Sequence, residues 1–90
     1  MNDTLGVHVM VARIDKHLGA RIVLAREQCG KSQTEIANEI DLSVKRLTEY
    51  EMGIVRIPAL YIARLARALE VTPRWVFDGL PGQDAFDRTG

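Results

Sequence analysis

Twenty residues decide the fold of this chain: SQTEIANEIDLSVKRLTEYE, residues 32–51. Ser32 and Ser43 are residue types that favour the position just before a helix, and Glu35 completes a capping-box pattern after Ser32. Two helices are therefore expected to begin eleven residues apart, which leaves room for only a tight turn between them. The apolar seam between these helices is predicted at Ile36, Ile40 and Leu47, with the small Ala37 at their crossing.

Length and composition predict a single small domain. The chain has 90 residues, of which 47% are hydrophobic. Its longest apolar stretches, such as Val9–Ala12 and Ile22–Ala25, are far too short to cross a bilayer, and no leader pattern precedes them. We therefore expect a cytoplasmic protein with no membrane partner. The lone Cys29 can form neither an internal disulfide nor a metal cluster. The chain does not visibly group other metal ligands, and no metal and no cofactor are predicted.

The charge balance argues against strong non-specific attraction to nucleic acid. Twelve Lys and Arg residues balance twelve Asp and Glu residues, so the formal net charge is zero. Phosphate attraction normally supplies much of the affinity of a nucleic-acid-binding protein. Residues 31–56 are no more basic, because four cations (Lys31, Lys45, Arg46, Arg56) face five anions (Glu35, Glu39, Asp41, Glu49, Glu51).

Capping residues, apolar spacing and stop signals predict an all-α chain of five helices. The first is expected to be capped by Asp15 and to end near Gln28. The others are expected at Gln33–Glu39, from Val44 to about Glu51, from Pro58 to about Leu69, and in a short segment after Thr72 and Pro73 that stops at Gly79. The second and third helices form a predicted helix-turn-helix, with Asp41 in the turn.

Both ends of the chain are expected to lie outside this domain. Val7–Val11 alternates like a strand, although the same residues could extend the first helix toward its N-terminus. We favour an extended N-terminal arm, residues 1–14, that pairs with a second copy of the chain because a lone strand leaves its backbone groups unsatisfied. Residues 81–90 are expected to be a tail in which Phe86 either docks on a neighbour or is disordered.

Four spaced patterns resemble the phage-repressor and Cro-like helix-turn-helix family, the XRE type. They are an Arg at the end of the first helix, Gln-x-x-x-Ala in the second, Glu-x-Gly after the third and Ala-x-x-Leu-x-Val in the fourth. The residues are Leu18, Arg21, Ile22, Arg26, Gly30, Ser32, Gln33, Glu35, Ile36, Ala37, Ser43, Tyr50, Glu51, Met52, Gly53, Pro58, Leu65, Ala66, Ala68, Leu69, Val71 and Trp75. The resemblance covers about residues 15–80 and implies a compact five-helix, lambda-repressor-like DNA-binding domain.

The resemblance implies that Val44, Lys45 and Glu49 face base edges from the start of the recognition helix. Lys45 could donate to guanine, Val44 could pack on a thymine methyl group, and Glu49 could accept from cytosine. Glu49 has an alternative role as a surface ion pair with Lys45, four residues earlier, and the sequence does not choose between the two.

Other residues match family positions that contact phosphates or stabilise the fold. Gln33 is expected to hold a phosphate, and so are Arg46 and Arg56, with Ser43 and the peripheral Lys31 as further contacts. Arg26 and Glu51 match a partly buried salt bridge between the first and third helices. The sequence departs from the family pattern at Asp41, where Gly is usual, and in the loop of residues 53–57, where Arg56 is the only cation.

These observations favour a sequence-specific regulator that binds double-stranded DNA as a homodimer on a two-fold operator, most simply as a repressor. The alternative is a protein-interaction module on the same fold, such as an antitoxin with a toxin partner, because several apolar residues lie at surface positions. An enzyme is the weakest interpretation. His8 and His17 lie in different predicted elements, and no Ser, Cys or carboxylate stands at a motif distance from either.

Overall fold

The computed structural model describes residues 3–80, with side chains from Gly6 onward, and all of its regular elements are helices. The five helices are α1 (Asp3–Cys29), α2 (Gln33–Glu39), α3 (Val44–Met52), α4 (Ala59–Ala68) and α5 (Pro73–Phe77). The all-α fold with five helices is thus confirmed for this part of the chain. The predicted tail, residues 81–90 with Phe86, lies outside the described residues.

The expected start of the first helix at Asp15 is wrong, because α1 already begins at Asp3. Val7–Val11 is therefore helical and not extended. The alternation of these five residues masks a second pattern, since Val7, Val11, Ile14 and Leu18 follow the spacing of one helix face. Asp15 caps no helix and is buried within α1, where its carboxylate accepts a hydrogen bond from Arg56 Nε at 2.9 Å. The predicted boundary between arm and domain at residue 14 thus falls inside a continuous helix.

The later helices begin where their caps predict. Ser32 and Glu35 form a reciprocal capping box, with Glu35 N to Ser32 Oγ at 3.1 Å and Ser32 N to Glu35 Oε1 at 3.0 Å. The hydrogen bond from the Ser32 backbone lowers the pKa of Glu35 below its ordinary value. Ser43 accepts from Arg46 N at 3.0 Å and caps α3. These two caps fix where the predicted helix-turn-helix begins and where its second helix starts.

All five helices contribute residues to one buried core. Gly19 allows a close approach of α1 and α3, because a Cβ atom there would lie 2.5 Å from the backbone oxygen of Tyr50. The three predicted seam residues, Ile36, Ile40 and Leu47, are buried, and so is Ala37 at the helix crossing. The buried hydrophobic residues are Leu18, Ile22, Ala25, Ile36, Ala37, Ile40, Leu47, Tyr50, Ile57, Ile62, Leu65, Ala66, Ala68, Leu69 and Val76.

Arg21 holds α5 against α1. Its Nε and Nη2 atoms donate to the backbone oxygen of Trp75 at 3.2 and 2.8 Å. The guanidinium carbon also lies 3.6 Å from the centre of the Trp75 ring, so charge and aromatic face attract each other. Within residues 3–80, no helix is both long and apolar enough to span a membrane.

Candidate nucleic-acid interface

The turn between α2 and α3 sets the angle at which α3 is presented. Asp41 has a φ of 56°, the left-handed conformation expected at this position, where its short polar side chain is tolerated. The next residue, Leu42, donates from its backbone to Ala37 O at 2.8 Å and closes the turn back onto α2. At the other end of α3, Gly53 also has positive φ, and a Cβ there would lie 2.5 Å from Lys16 Cα in α1. A backbone hydrogen bond in the turn therefore positions the start of α3, and the close approach of Gly53 to α1 positions its end.

The first turn of α3 presents Val44 and Lys45 to solvent, and both side chains are exposed. Glu49, one turn later, is half-buried and lies 3.2 Å from Arg46 Nη1. Its ion-pair partner is thus Arg46 and not Lys45, the partner in the alternative role considered for Glu49. The Glu49 carboxylate thus pairs with the residue three positions earlier, a spacing at which side chains are neighbours on a helix surface. Lys45 consequently keeps its ammonium group available to a ligand.

Gln33 lies at the first position of α2 and faces α3. Its Nε2 donates to Glu51 Oε1 at 2.8 Å, and its Oε1 lies 3.3 Å from the hydroxyl oxygen of Thr48. The side chain predicted to hold a phosphate is therefore hydrogen-bonded to two residues of the neighbouring helix.

The carboxylate of Glu51 also binds Arg26, in the pairing that the family resemblance implies. Arg26 Nε lies 2.7 Å from Glu51 Oε2, and Arg26 Nη2 lies 3.1 Å from Glu51 Oε1. The hydrogen bond to Glu51 raises the pKa of Arg26 above its ordinary value, against the opposing effect of burial. This bidentate ion pair joins α1 to the last turn of α3. Removal of either partner would leave the other charge poorly solvated.

Three of the four cations counted in residues 31–56 carry carboxylate partners. Lys31 Nζ bonds to Glu39 at 2.9 Å and to the Ala68 backbone oxygen at 3.1 Å, which joins the loop after α1 to α2 and α4. Arg56 uses only its Nε for Asp15, and Arg46 uses Nη1 for Glu49. The fourth cation, Lys45, forms no ion pair with the residues that the structure describes. Carboxylates thus neutralise three of the four cations in this region.

Two residues near the candidate interface have contacts that the sequence did not indicate. Thr48 is part of none of the predicted sites, yet its hydroxyl lies 3.3 Å from Gln33 Oε1. Asp15 was interpreted as a helix cap, yet it holds Arg56. One contact joins α2 to α3 and the other joins α1 to the loop before α4, across 15 and 41 positions, so no local spacing could reveal them.

Comparison with known proteins agrees with this geometry. A family profile described as "Helix-turn-helix" matches residues 22–76, which include α2, the turn and α3. The chain belongs to the XRE-type helix-turn-helix family. The relatives that this chain matches are described as transcriptional regulators and not as enzymes.

Relatives within the family share this part of the chain. An uncharacterized HTH-type transcriptional regulator of Sinorhizobium fredii is 32% identical over 65 residues, which are 72% of this chain and 46% of the relative. A regulator of the same description from Rickettsia conorii is 31% identical over 71 residues, 79% of this chain and 57% of the relative. The chain thus spans about half the length of the curated relatives that it matches.

A solved structure shares the fold. The crystal structure of the restriction-modification controller protein C.AhdI from Aeromonas hydrophila superimposes with a TM-score of 0.66 at 29% identity. The match covers 69% of this chain and 94% of the controller protein. Most of that protein therefore has a counterpart here, whereas nearly a third of this chain lies outside the match.

Proposed function

We propose that this protein is a sequence-specific regulator of transcription that binds double-stranded DNA as a homodimer on a two-fold operator. The observation that carries the proposal is the first turn of α3, where Val44 and Lys45 are exposed and the Thr48 hydroxyl joins the Val44 backbone oxygen to the amide of Gln33. In such domains the start of the recognition helix enters the major groove. Lys45 would donate to guanine, Val44 would contact a thymine methyl group, and Glu49 would accept from cytosine. The regulator would act in the cytoplasm.

Phosphate contacts would come from Gln33, Arg46 and Arg56, with Ser43 and Lys31 at the edge. A guanidinium group carries five N–H donors. Arg56 binds Asp15 through Nε alone, so its two terminal nitrogens can reach a phosphate without breaking that pair. Arg46 would likewise keep donors free beside Glu49. Each cation so engaged would add roughly one unit to the slope of log affinity against log salt.

Repression by blocking access to a promoter is the simplest action for such a regulator. A homodimer would place its recognition helices about 34 Å apart, one turn of DNA. The first three turns of α1 offer a contact surface for the second copy, because Val7 and Met10 are 59% and 57% exposed. The described part of the predicted dimerising segment, residues 3–14, would thus pair as a helix and not as a strand.

Selection of bound duplexes from a random pool, at low and at physiological salt, tests the DNA-binding proposal. We expect a palindrome whose half-site centres lie about 10 base pairs apart. Lys45→Ala should relax the preference at one base of each half-site, whereas Gln33→Ala should weaken all sequences similarly. Arg74→Ala, which removes an exposed cation of α5, is the matched control and should change neither.

Failure of the pool to enrich any sequence would contradict the proposal. It would favour the alternative, a module whose exposed apolar residues bind a protein such as a toxin. Equal losses on all sequences from Lys45→Ala and Gln33→Ala would contradict the separate roles given to these residues.

Sedimentation over a range of concentrations, with and without the selected duplex, tests the homodimer. Met10→Glu should shift the equilibrium to monomer. Leu60→Glu on α4 is the control, because Leu60 is also 57% exposed and the substitution is equally large. A loss of dimer with Leu60→Glu alone would place the interface on α4 and rule out the first turns of α1.

A further inference from the structure

A buried carboxylate stands behind the candidate phosphate contact. The side chain of Glu51 is only 6% exposed, and its two oxygens accept three hydrogen bonds. Two come from Arg26 and one comes from Gln33 Nε2. A carboxylate that is already clamped by a guanidinium is a rigid acceptor, so it can order the amide that binds to it.

This acceptor decides which way the amide of Gln33 points. An ionised carboxylate can only accept, so the NH2 group of Gln33 must face Glu51 and the carbonyl oxygen must face away. On that other side lies the Thr48 hydroxyl, 3.3 Å from Gln33 Oε1. The hydroxyl also lies 2.9 Å from Val44 O, so its single hydrogen is shared between two acceptors.

We propose that Glu51 and Thr48 are positioning residues that hold the amide of Gln33 ready for a DNA phosphate. This inference rests on the proposed function, in which Gln33 contacts phosphate. One Nε2 hydrogen is used by Glu51, and the second is directed away from it toward the ligand. The ion pair between Arg26 and Glu51 thereby serves two purposes, since it joins α1 to α3 and also fixes a side chain at the interface.

The expected benefit is a smaller loss of side-chain freedom on binding. Ordering a flexible side chain at an interface costs affinity, by about two- to tenfold. Thr48 and Glu51 order Gln33 before DNA arrives, so this loss is avoided. Thr48 would act through Gln33 and make no contact with DNA of its own.

The first test needs no DNA. Relaxation of the side-chain NH2 groups in ¹⁵N-labelled protein compares Gln33 with Gln28, an exposed glutamine of α1. We expect an order parameter near that of rigid backbone, about 0.85, for Gln33 and below about 0.6 for Gln28. Thr48→Val should lower the value for Gln33. Equal mobility of the two glutamines in the unsubstituted protein would overturn the proposal, whatever the protein binds.

The second test is a double-substitution cycle on the duplex that the pool selection yields. Thr48→Val should weaken binding about two- to tenfold with an unchanged melting temperature, and Thr48→Ser should restore the affinity. In a Gln33→Ala background, Thr48→Val should have no further effect. An equal loss in both backgrounds would show that Thr48 acts without Gln33 and would overturn the proposal. Failure of the unsubstituted protein to select any duplex would instead count against the proposed function, and the relaxation test would still decide the positioning.

Discussion

The two halves of α1 belong to one helix, yet their surroundings differ sharply. The second half, residues 15–29, buries Leu18, Ile22 and Ala25 against the rest of the domain. The first half, residues 3–14, continues the same apolar face, but Val7 and Met10 remain more than half exposed. A helical stripe is thus a property of local spacing, whereas its burial depends on what the rest of the chain places against it.

Hydrogen exchange should give the largest contrast between the halves. A single exposed helix of three turns is marginal in water, and valine is a poor helix former. At concentrations where the protein is monomeric, we expect the free energy of opening for exchange to be near zero at the amides of residues 7–13. Amides of residues 18–26 should open only with global unfolding, about 5 kcal/mol or more. Exchange measured by NMR checks this difference.

A rise in protection of residues 7–13 with protein concentration would support the proposed contact between two copies through α1. Equal protection of both halves in the monomer would contradict the contrast itself.

Truncation of a buried side chain should show the next largest effect. Ile22 is fully buried, so Ile22→Ala should lower the free energy of unfolding by about 2–5 kcal/mol, from lost burial and the cavity left behind. Val7→Ala, in the exposed half, should change it by less than about 0.5 kcal/mol. Urea denaturation of both variants, at a concentration where the protein is monomeric, measures the two values. Comparable losses would mean that Val7 is covered.

The two glycines of α1 should respond with opposite signs. Gly19→Ala would force a methyl group to within about 2.5 Å of the Tyr50 backbone oxygen, and we expect a loss of about 1–3 kcal/mol. Gly6 has no neighbouring atom within 4 Å, so Gly6→Ala should add about 0.5 kcal/mol through better helix propensity. Thermal unfolding of each variant gives the sign. A gain from Gly19→Ala would contradict the close crossing of α1 and α3.

The smallest contrast concerns two arginines of α1. Arg21→Lys would lose the planar group that stacks on Trp75 and donates twice to its backbone oxygen, at a cost of about 1 kcal/mol. Arg13→Lys, in the exposed half, should leave stability unchanged within error. Denaturation followed by the fluorescence of Trp75, the only tryptophan of the chain, measures both. Equal effects would show that the contact between Arg21 and Trp75 contributes little.

The helix starts of the later elements could be predicted because their signals are local. Ser32, Glu35 and Ser43 each satisfy backbone N–H groups within three residues of themselves. The left-handed turn at Asp41 follows from the same short-range logic. The start of α1 was missed because alternation over five residues competes with a helical stripe in the same segment.

The candidate site could be predicted only as a set of residues, not as a network. The sequence places Gln33 and Lys45 at the starts of their helices. It does not show that Glu51 accepts a hydrogen bond from Gln33, or that Arg46 rather than Lys45 pairs with Glu49. The roles of Val44, Lys45, Glu49 and the phosphate contacts stay predictions until DNA is bound.

The sequence by itself determined the number of later helices, their caps, the tight turn and the family to which the chain belongs, because these depend on residues within a few positions of one another. Only the tertiary structure decided which charges are paired, which amide is held and which half of α1 is covered. Those properties arise where helices cross, and the residues that meet there are far apart in the sequence.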